Sequence, residues 1–155
     1  MPYPAEANNF LVEHASCLIH SYEQSFKSEL IPSAQKSDPF AKQLFYSPFA
    51  VVSHNTEIDP VFNYANVTAL ELFECTWDEF TRLPSRLSAE PVNQAERKRL
   101  LTQVSTHGYI KHYEGIRISK SGRRFLIKNA RVWNLSDQQG RYMGQAACFE
   151  EWQFL

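Results

Sequence analysis

The apolar positions of this chain fall into two regimes. In the first part they recur mostly every three or four residues, as on one face of a helix. After residue 107 they recur largely in alternation, as on one face of a strand. Leu11, Ala15, Leu18, Tyr22 and Phe26 draw one apolar stripe and predict a helix over residues 8–30, with Asn8 or Asn9 as its cap and Pro32 as its stop. Residues 31–47 read as a connector that still packs on something, because Phe40, Leu44, Phe45 and Tyr46 lie within it. Residues 49–54 predict a short strand and Val61 to Tyr64 a second one.

At Asn66 the period changes from strand to helix, with Val67, Leu70 and Phe73 spaced by three. An asparagine there can accept from the next turn's free N–H groups, so it predicts a cap for a helix running to about Glu74. Thr76-Trp77-Asp78-Glu79 matches a capping box and starts another short helix, which Pro84 ends. A third helix starts near Asn93, buries Leu100, Leu101 and Val104, and stops at Gly108. Three β-like runs follow over residues 109–119, 123–135 and 141–150, split by Ser121-Gly122 and Gln139-Gly140. In the second run Phe125 and Ile127 share one face while Ala130 and Val132 fall on the other; a bulge near Asn129 reconciles them. The elements sum to an α+β fold: a five-stranded antiparallel sheet with short helices on one face, plus the N-terminal helix. The 155 residues suggest a single domain, with residues 1–48 as a helix and connector and residues 49–155 as the core.

Composition narrows the function classes. The chain is 43% hydrophobic and 14% aromatic, enough to build a core without staples. Its 16 basic and 17 acidic residues leave a net charge of -1, so no overall field favours nucleic acid or an anionic membrane. The local cluster Arg97-Lys98-Arg99 reads as a solvated helix face. Cys17, Cys75 and Cys148 are odd in number and lack CxxC spacing, which argues against a disulfide framework or a zinc site. The first residues lack the basic and apolar regions of a signal peptide, and the expected location is cytoplasmic.

Several stretches carry a resemblance. Phe62-Asn63-Tyr64-Ala65-Asn66 with Ala69-Leu70-Glu71-Leu72-Phe73, Arg82 to Ser88, Gly115-Ile116-Arg117-Ile118-Ser119, and Asn129 to Leu135 with Gly144-Gln145-Ala146-Ala147 resemble the MEKHLA domain over about residues 8–152. That family is PAS-like. It occurs alone in bacteria, the form this chain resembles, and at the C-terminus of plant class III homeodomain–leucine zipper regulators. The resemblance implies a PAS-like sheet and a sensory or regulatory role, and it supplies no ligand.

The candidate ligand-binding residues are Gln145, Asn129, Arg117, Tyr64, Trp77, Trp133, Met143 and His54. Met143, Gln145, Ala147 and Phe149 alternate and predict one core face, so Gln145 is a buried amide that needs partners, with Asn129 one candidate. Asn129 is also a plain bulge residue on the other view. Arg117 points opposite to Ile116 and Ile118; it is exposed or, alternatively, a cavity cation for an acidic ligand. Tyr64, Trp77 and Trp133 are core first and cavity wall second. His54, with Glu57 and Asp59 nearby, is the sole evident start of an acid–base pair, and no second histidine completes a metal site. A flavin photosensor of the PAS fold needs an Asn-Cys-Arg context that is absent here; His107 leaves haem open, and the cofactor is otherwise unassigned.

Three functions fit. The first is a non-catalytic sensory module that binds a small molecule in an internal cavity and signals through protein contacts. The second is a pure interaction domain with a filled cavity. In either case the stripe Leu11, Ala15, Leu18, Tyr22 and Phe26 is a candidate interface for a homodimer or a protein partner. The third, ranked last, is an enzyme of the nuclear-transport-factor-2-like type.

Overall fold

The computed structural model describes residues 1–31 and 39–155. Pro32, expected to stop the first helix, lies outside the described residues. A 3-10 turn over Glu6–Asn8 precedes helix α1, Val12–Phe26. This helix is shorter than expected. Asn8 serves the 3-10 turn, its Oδ1 accepting from the Ala5 and Leu11 N–H groups at 3.0 and 3.3 Å. Leu11 itself sits in a left-handed conformation just before α1, and Lys27 adopts another just after it. The apolar stripe is fully used within the chain. Leu11, Ala15, Leu18, Tyr22 and Phe26 are all buried, and the chain's own sheet lies against α1. The expected exposed docking stripe is therefore not exposed.

Helix α2, Phe40–Phe45, falls inside the expected connector and buries Ala41, Leu44 and Phe45. Strands β1 (Ala50–His54) and β2 (Phe62–Ala65) follow, then the short helices α3 (Val67–Phe73) and α4 (Trp77–Phe80), a 3-10 turn over Ser85–Ser88, and the long helix α5 (Pro91–His107). Strands β3 (Tyr109–Ile118), β4 (Arg124–Ser136), β5 (Tyr142–Phe149) and β6 (Glu151–Phe154) complete the chain. The caps are those the sequence requires. Thr76 and Glu79 close a reciprocal box at 3.2 and 2.9 Å, and Gly108 takes a positive φ of 93° after α5.

Asn66 does more than cap. Its Oδ1 accepts from Ala69 N–H at the start of α3 and from Val51 N–H in β1, at 3.1 and 3.0 Å. Its Nδ2 donates to the carbonyls of Leu44 and Phe49 at 3.1 and 2.7 Å. One buried side chain thus ties α2, β1 and α3 together with every amide hydrogen and both oxygen lone pairs in use.

The sheet is antiparallel, in the order β2-β1-β5-β4-β3, with β6 also paired to β4. It has six strands, one more than expected. β5 pairs with residues 131–136 of β4 and β6 with residues 125–128, so the two run end to end along the same long strand. The bulge expected near Asn129 is present. Between Tyr113↔Ala130 and Gly115↔Ile127, β4 carries one extra residue, and Asn129 has a φ of 53°. It has a counterpart: between Ile110↔Val132 and Tyr113↔Ala130 it is β3 that carries the extra residue, and His112 has a φ of 59°. The two left-handed residues face each other and bond through His112 Nδ1 and Asn129 Oδ1.

The bulge in β4 sorts its side chains. Trp133 meets α1: its Nε1 donates to the Leu18 carbonyl at 3.2 Å and its ring meets Tyr22 edge-on at 5.0 Å. Ser21 and Ser136 exchange two more bonds across the same contact. Ile127, Ala130 and Val132 instead share the opposite side, where they line a cavity together with α5 side chains.

Candidate functional site

Five strands, β1 to β5, and α5 enclose that cavity, which has a volume of about 70 Å³. Most of its wall is apolar, including Val52, Phe62, Phe73, Leu100, Val132 and Phe149. The polar side chains that reach it are few: Ser53, His54, Ser88, Arg97, Arg117 and Gln145, with the Tyr113 phenol beside them.

Strand alternation places Tyr113, Gly115 and Arg117 on one face of β3. Gly115 makes room for its neighbours. A Cβ there would lie 2.2 Å from the Tyr113 hydroxyl and 3.0 Å from an Arg117 guanidinium nitrogen. Tyr113 therefore reaches across the glycine. Its hydroxyl accepts from Arg117 Nη2 at 3.1 Å and donates to Glu96 Oε2 on α5 at 3.0 Å. Arg117 Nη1 donates to the Ile116 carbonyl at 2.9 Å. Arg117 is only 7% exposed, so its cavity-facing placement is the one the structure adopts.

A second guanidinium comes from α5. Arg97 is 8% exposed, lines the same cavity and donates to Ser85 Oγ at 2.6 Å. Its charge was expected in a solvated cluster with Lys98 and Arg99. The helical spacing explains the difference: Arg97 shares a face with Leu100, Leu101 and Val104, whereas Lys98 and Arg99 do not. That spacing is the signal that could have found it. Burial first, and then the Arg117 charge, hold Arg97 down at about 10. Among the described residues, neither arginine forms an ion pair with a carboxylate.

Gln145 is buried as expected, but its partners differ. Its Nε2 lies 3.0 Å from Asn134 Oδ1, 3.1 Å from the Leu101 carbonyl and 3.2 Å from Ser105 Oγ. Asn129 is not among them. His54 closes β1. Its Nδ1 sits 2.9 Å from the Asn55 carbonyl, which assigns the proton to that nitrogen and leaves Nε2 as an acceptor. His54 Nε2 is buried with no hydrogen-bond partner among the described residues. Burial, mainly, keeps His54 below its ordinary value; the Arg97 charge acts in the same direction, and the Asn55 carbonyl and Gln145 oppose it.

His54, Arg117 and Gln145 of the eight candidates thus meet at one cavity, and the other five lie elsewhere. Asn129 is exposed at its bulge. Met143 is 45% exposed, because the register shifts at the start of β5 and Gly144, at a φ of 124°, breaks the alternation that would have aligned it with Gln145. A Cβ at Gly144 would meet the His54 carbonyl oxygen at 2.0 Å, so the irregularity also seats β1 against β5. Trp133 faces α1. Trp77 donates to the Met1 carbonyl and packs edge-on to Tyr64, whose ring in turn meets His14. The acids near His54 do not join it. Asp59 pairs with Arg86 at 3.1 Å, and Glu57 takes the Asn55 amide. His107 is exposed at the end of α5 and absent from the cavity lining. Among the described residues, no group of three His, Cys, Asp or Glu could hold a metal ion, and no helix is long and apolar enough to cross a membrane.

This geometry can be set beside known proteins. The fold matches a PAS domain of a Colwellia psychrerythraea protein, with a TM-score of 0.61 at 14% identity over 74% of this chain and 92% of that one. It also matches an RNA-binding light-oxygen-voltage receptor (TM-score 0.60, 17% identity, 78% of this chain and 34% of that one). A light-oxygen-voltage domain studied with a flavin analogue is similar as well (TM-score 0.60, 15% identity, 77% of this chain and 86% of that one). These likenesses establish a PAS-like fold. A flavin does not fit here. The cavity of about 70 Å³ falls far below the roughly 300 Å³ at which sites for larger ligands begin, and no cysteine lines it.

In sequence, the chain is 26% identical to the homeobox-leucine zipper protein HOX29 of Oryza sativa, in both the indica and japonica subspecies, over 89% of its length. It spans 16% of those curated relatives. The MEKHLA domain model matches residues 12–154. By that match over nearly its whole length, and by its PAS-like sheet, the chain belongs to the MEKHLA domain family.

Proposed function

We propose that this chain is a non-catalytic sensory module that takes a small molecule into the cavity between α5 and the sheet, and passes its occupancy on through protein contacts. The observation that carries this reading is the make-up of the cavity. Apolar side chains form its wall, and His54, Arg97, Arg117 and Gln145 converge on it from three strands and a helix. Such a mixture binds and orients a ligand. The acids that could pair with His54 for proton transfer are turned away from it. The PAS-like fold agrees with a sensory role by analogy.

Mass spectrometry of the natively purified protein, run intact and after denaturation, tests the proposal. A small molecule retained in the native spectrum and released on denaturation is the expected result. A clean, ligand-free protein that also gains no thermal stability from a small-molecule library would overturn it. The chain would then act as an interaction domain with a closed core.

A further inference from the structure

We infer that the cavity's ligand is a short-chain organic acid whose carboxylate is held between Arg97 and Arg117. The inference rests on the reading that the cavity takes a small molecule, and it names the chemical class. Two guanidiniums, one on α5 and one on β3, are buried at the same cavity. Each carries five N–H donors, and the protein acceptors they meet are neutral: the Ser85 hydroxyl, the Ile116 carbonyl and the Tyr113 hydroxyl. Glu96 lies one atom group too far, bonding the Tyr113 phenol rather than either arginine. Buried charges are ordinarily paired, and like charges brought together are costly without a counterion. An anion placed between the two removes both deficits, and a carboxylate offers the flat pair of acceptors that a guanidinium fork matches.

A second observation also points to a ligand. His54 Nε2, on the same wall, is buried and unpartnered, and as an acceptor it takes a donor such as a hydroxyl on the acid's carbon chain, not the carboxylate itself. The site is therefore short of a ligand at more than one polar atom. Size and polarity limit the choice further. A cavity of about 70 Å³ has room for on the order of five waters, which suits a carboxylate on a short carbon chain. The apolar remainder of the wall suits that chain better than a second charged group.

The test compares acids with their neutral isosteres on the intact wild-type protein. Acetate, propionate, lactate and isobutyrate are titrated against acetamide, propionamide and isobutyramide, with inorganic phosphate as a further arm and sodium chloride matching the ionic strength. Calorimetry and thermal shift are the readouts. At least one acid is expected to bind at least tenfold more tightly than its amide and to raise Tm. Arg97→Met and Arg117→Met are each expected to lose at least tenfold of that affinity. In the absence of ligand, Arg97→Met is expected to melt higher than wild type, because it removes a buried like-charge contact. A merely structural arginine predicts the opposite: a lower Tm and unchanged acid binding.

Amides that bind as tightly as acids would overturn the inference and leave the cavity reading standing. Phosphate binding without any organic acid would overturn it in favour of an inorganic anion. No binding by any member, together with an empty native mass spectrum, would remove both. If a variant fails to fold, the acid-against-amide comparison on the wild-type protein decides alone.

Discussion

Tyr113 and Arg117 share a 3.1 Å hydrogen bond that passes directly over Gly115. Three alternate residues of one strand thus act as a unit: the glycine supplies the space, the phenol crosses it, and the guanidinium is steadied at the cavity. Gly115→Ala is expected to push the phenol aside and to destabilise the protein by about 1–3 kcal/mol, the usual range for overpacking. The strain is steric, since Gly115 is not among the positive-φ glycines. Urea unfolding of the variant measures it. An unchanged midpoint would mean that Tyr113 can turn away without loss.

Asn66 is the densest polar junction in the fold, with four bonds from one buried amide. Asn66→Leu keeps the volume and strands two donors and two acceptors of the backbone. A loss of about 4 kcal/mol is expected, since an unmet buried polar group costs about 1–3 kcal/mol. Asn66→Asp keeps the two accepted bonds but turns an acceptor oxygen, charged unless it takes up a proton, against the Leu44 and Phe49 carbonyls, so its loss should be at least as large. Equilibrium unfolding of both variants gives the comparison.

Leu18 is fully buried where α1 meets the sheet, and its carbonyl accepts from Trp133. Leu18→Glu places a carboxylate against that aromatic contact. The expected outcome is unfolding, or a loss of at least about 4 kcal/mol, rather than a change of oligomeric state. Near-ultraviolet circular dichroism reports it through the tryptophan signal. A folded variant with an altered sedimentation coefficient would show instead that α1 can leave the sheet.

His14 provides a pH handle. Its Nε2 lies 2.9 Å from Ser53 Oγ, its ring packs on Tyr64, and burial lowers its pKa to about 4. The folded state therefore holds fewer protons than the unfolded state between pH 6.5 and about 4. Stability is full above pH 6.5 and falls as the pH drops through that window, by about 3 kcal/mol from this residue. His54, lowered in the same direction, adds to the trend. His14→Gln, which can still bond Ser53, is expected to flatten the slope in denaturant titrations at about pH 7, 5.5 and 4.5. A slope unchanged by the substitution would assign the acid sensitivity elsewhere.

Much of the fold was legible because its local rules agree with one another. The switch at Asn66, the Thr76–Glu79 box and the glycine stop after α5 follow from the chemistry of one or two side chains, and the bulge at Asn129 from the apolar alternation changing face between Ile127 and Ala130. β6 was not legible, since the single residue Glu150 parts it from β5 without a glycine or proline to mark the break. The site was read in part. Gln145 follows from alternation within β5, but Met143 in the same pattern is displaced by the Gly144 irregularity, which only pairing with β4 reveals. Arg97 and Lys98 are neighbours of like charge in the sequence and opposites in environment. Charge clustering is a property of the chain, whereas burial is a property of the helix face, and at position 97 the second prevails.

The paired bulges at His112 and Asn129 have a consequence for how this sheet can change. Each adds one residue to one strand, so their offsets cancel: Ile110 still faces Val132 and Ile116 still faces Leu126 on one common register, and only the short window around Tyr113 and Ala130 is displaced. Loss of a single residue from either strand would turn one half of the ladder inside out. Loss of one from each would leave both ends in step and re-aim only the stretch beside the cavity. Insertions and deletions in these two strands are therefore tolerable only in matched pairs, and a lineage could reshape the cavity wall by that route without disturbing the rest of the sheet.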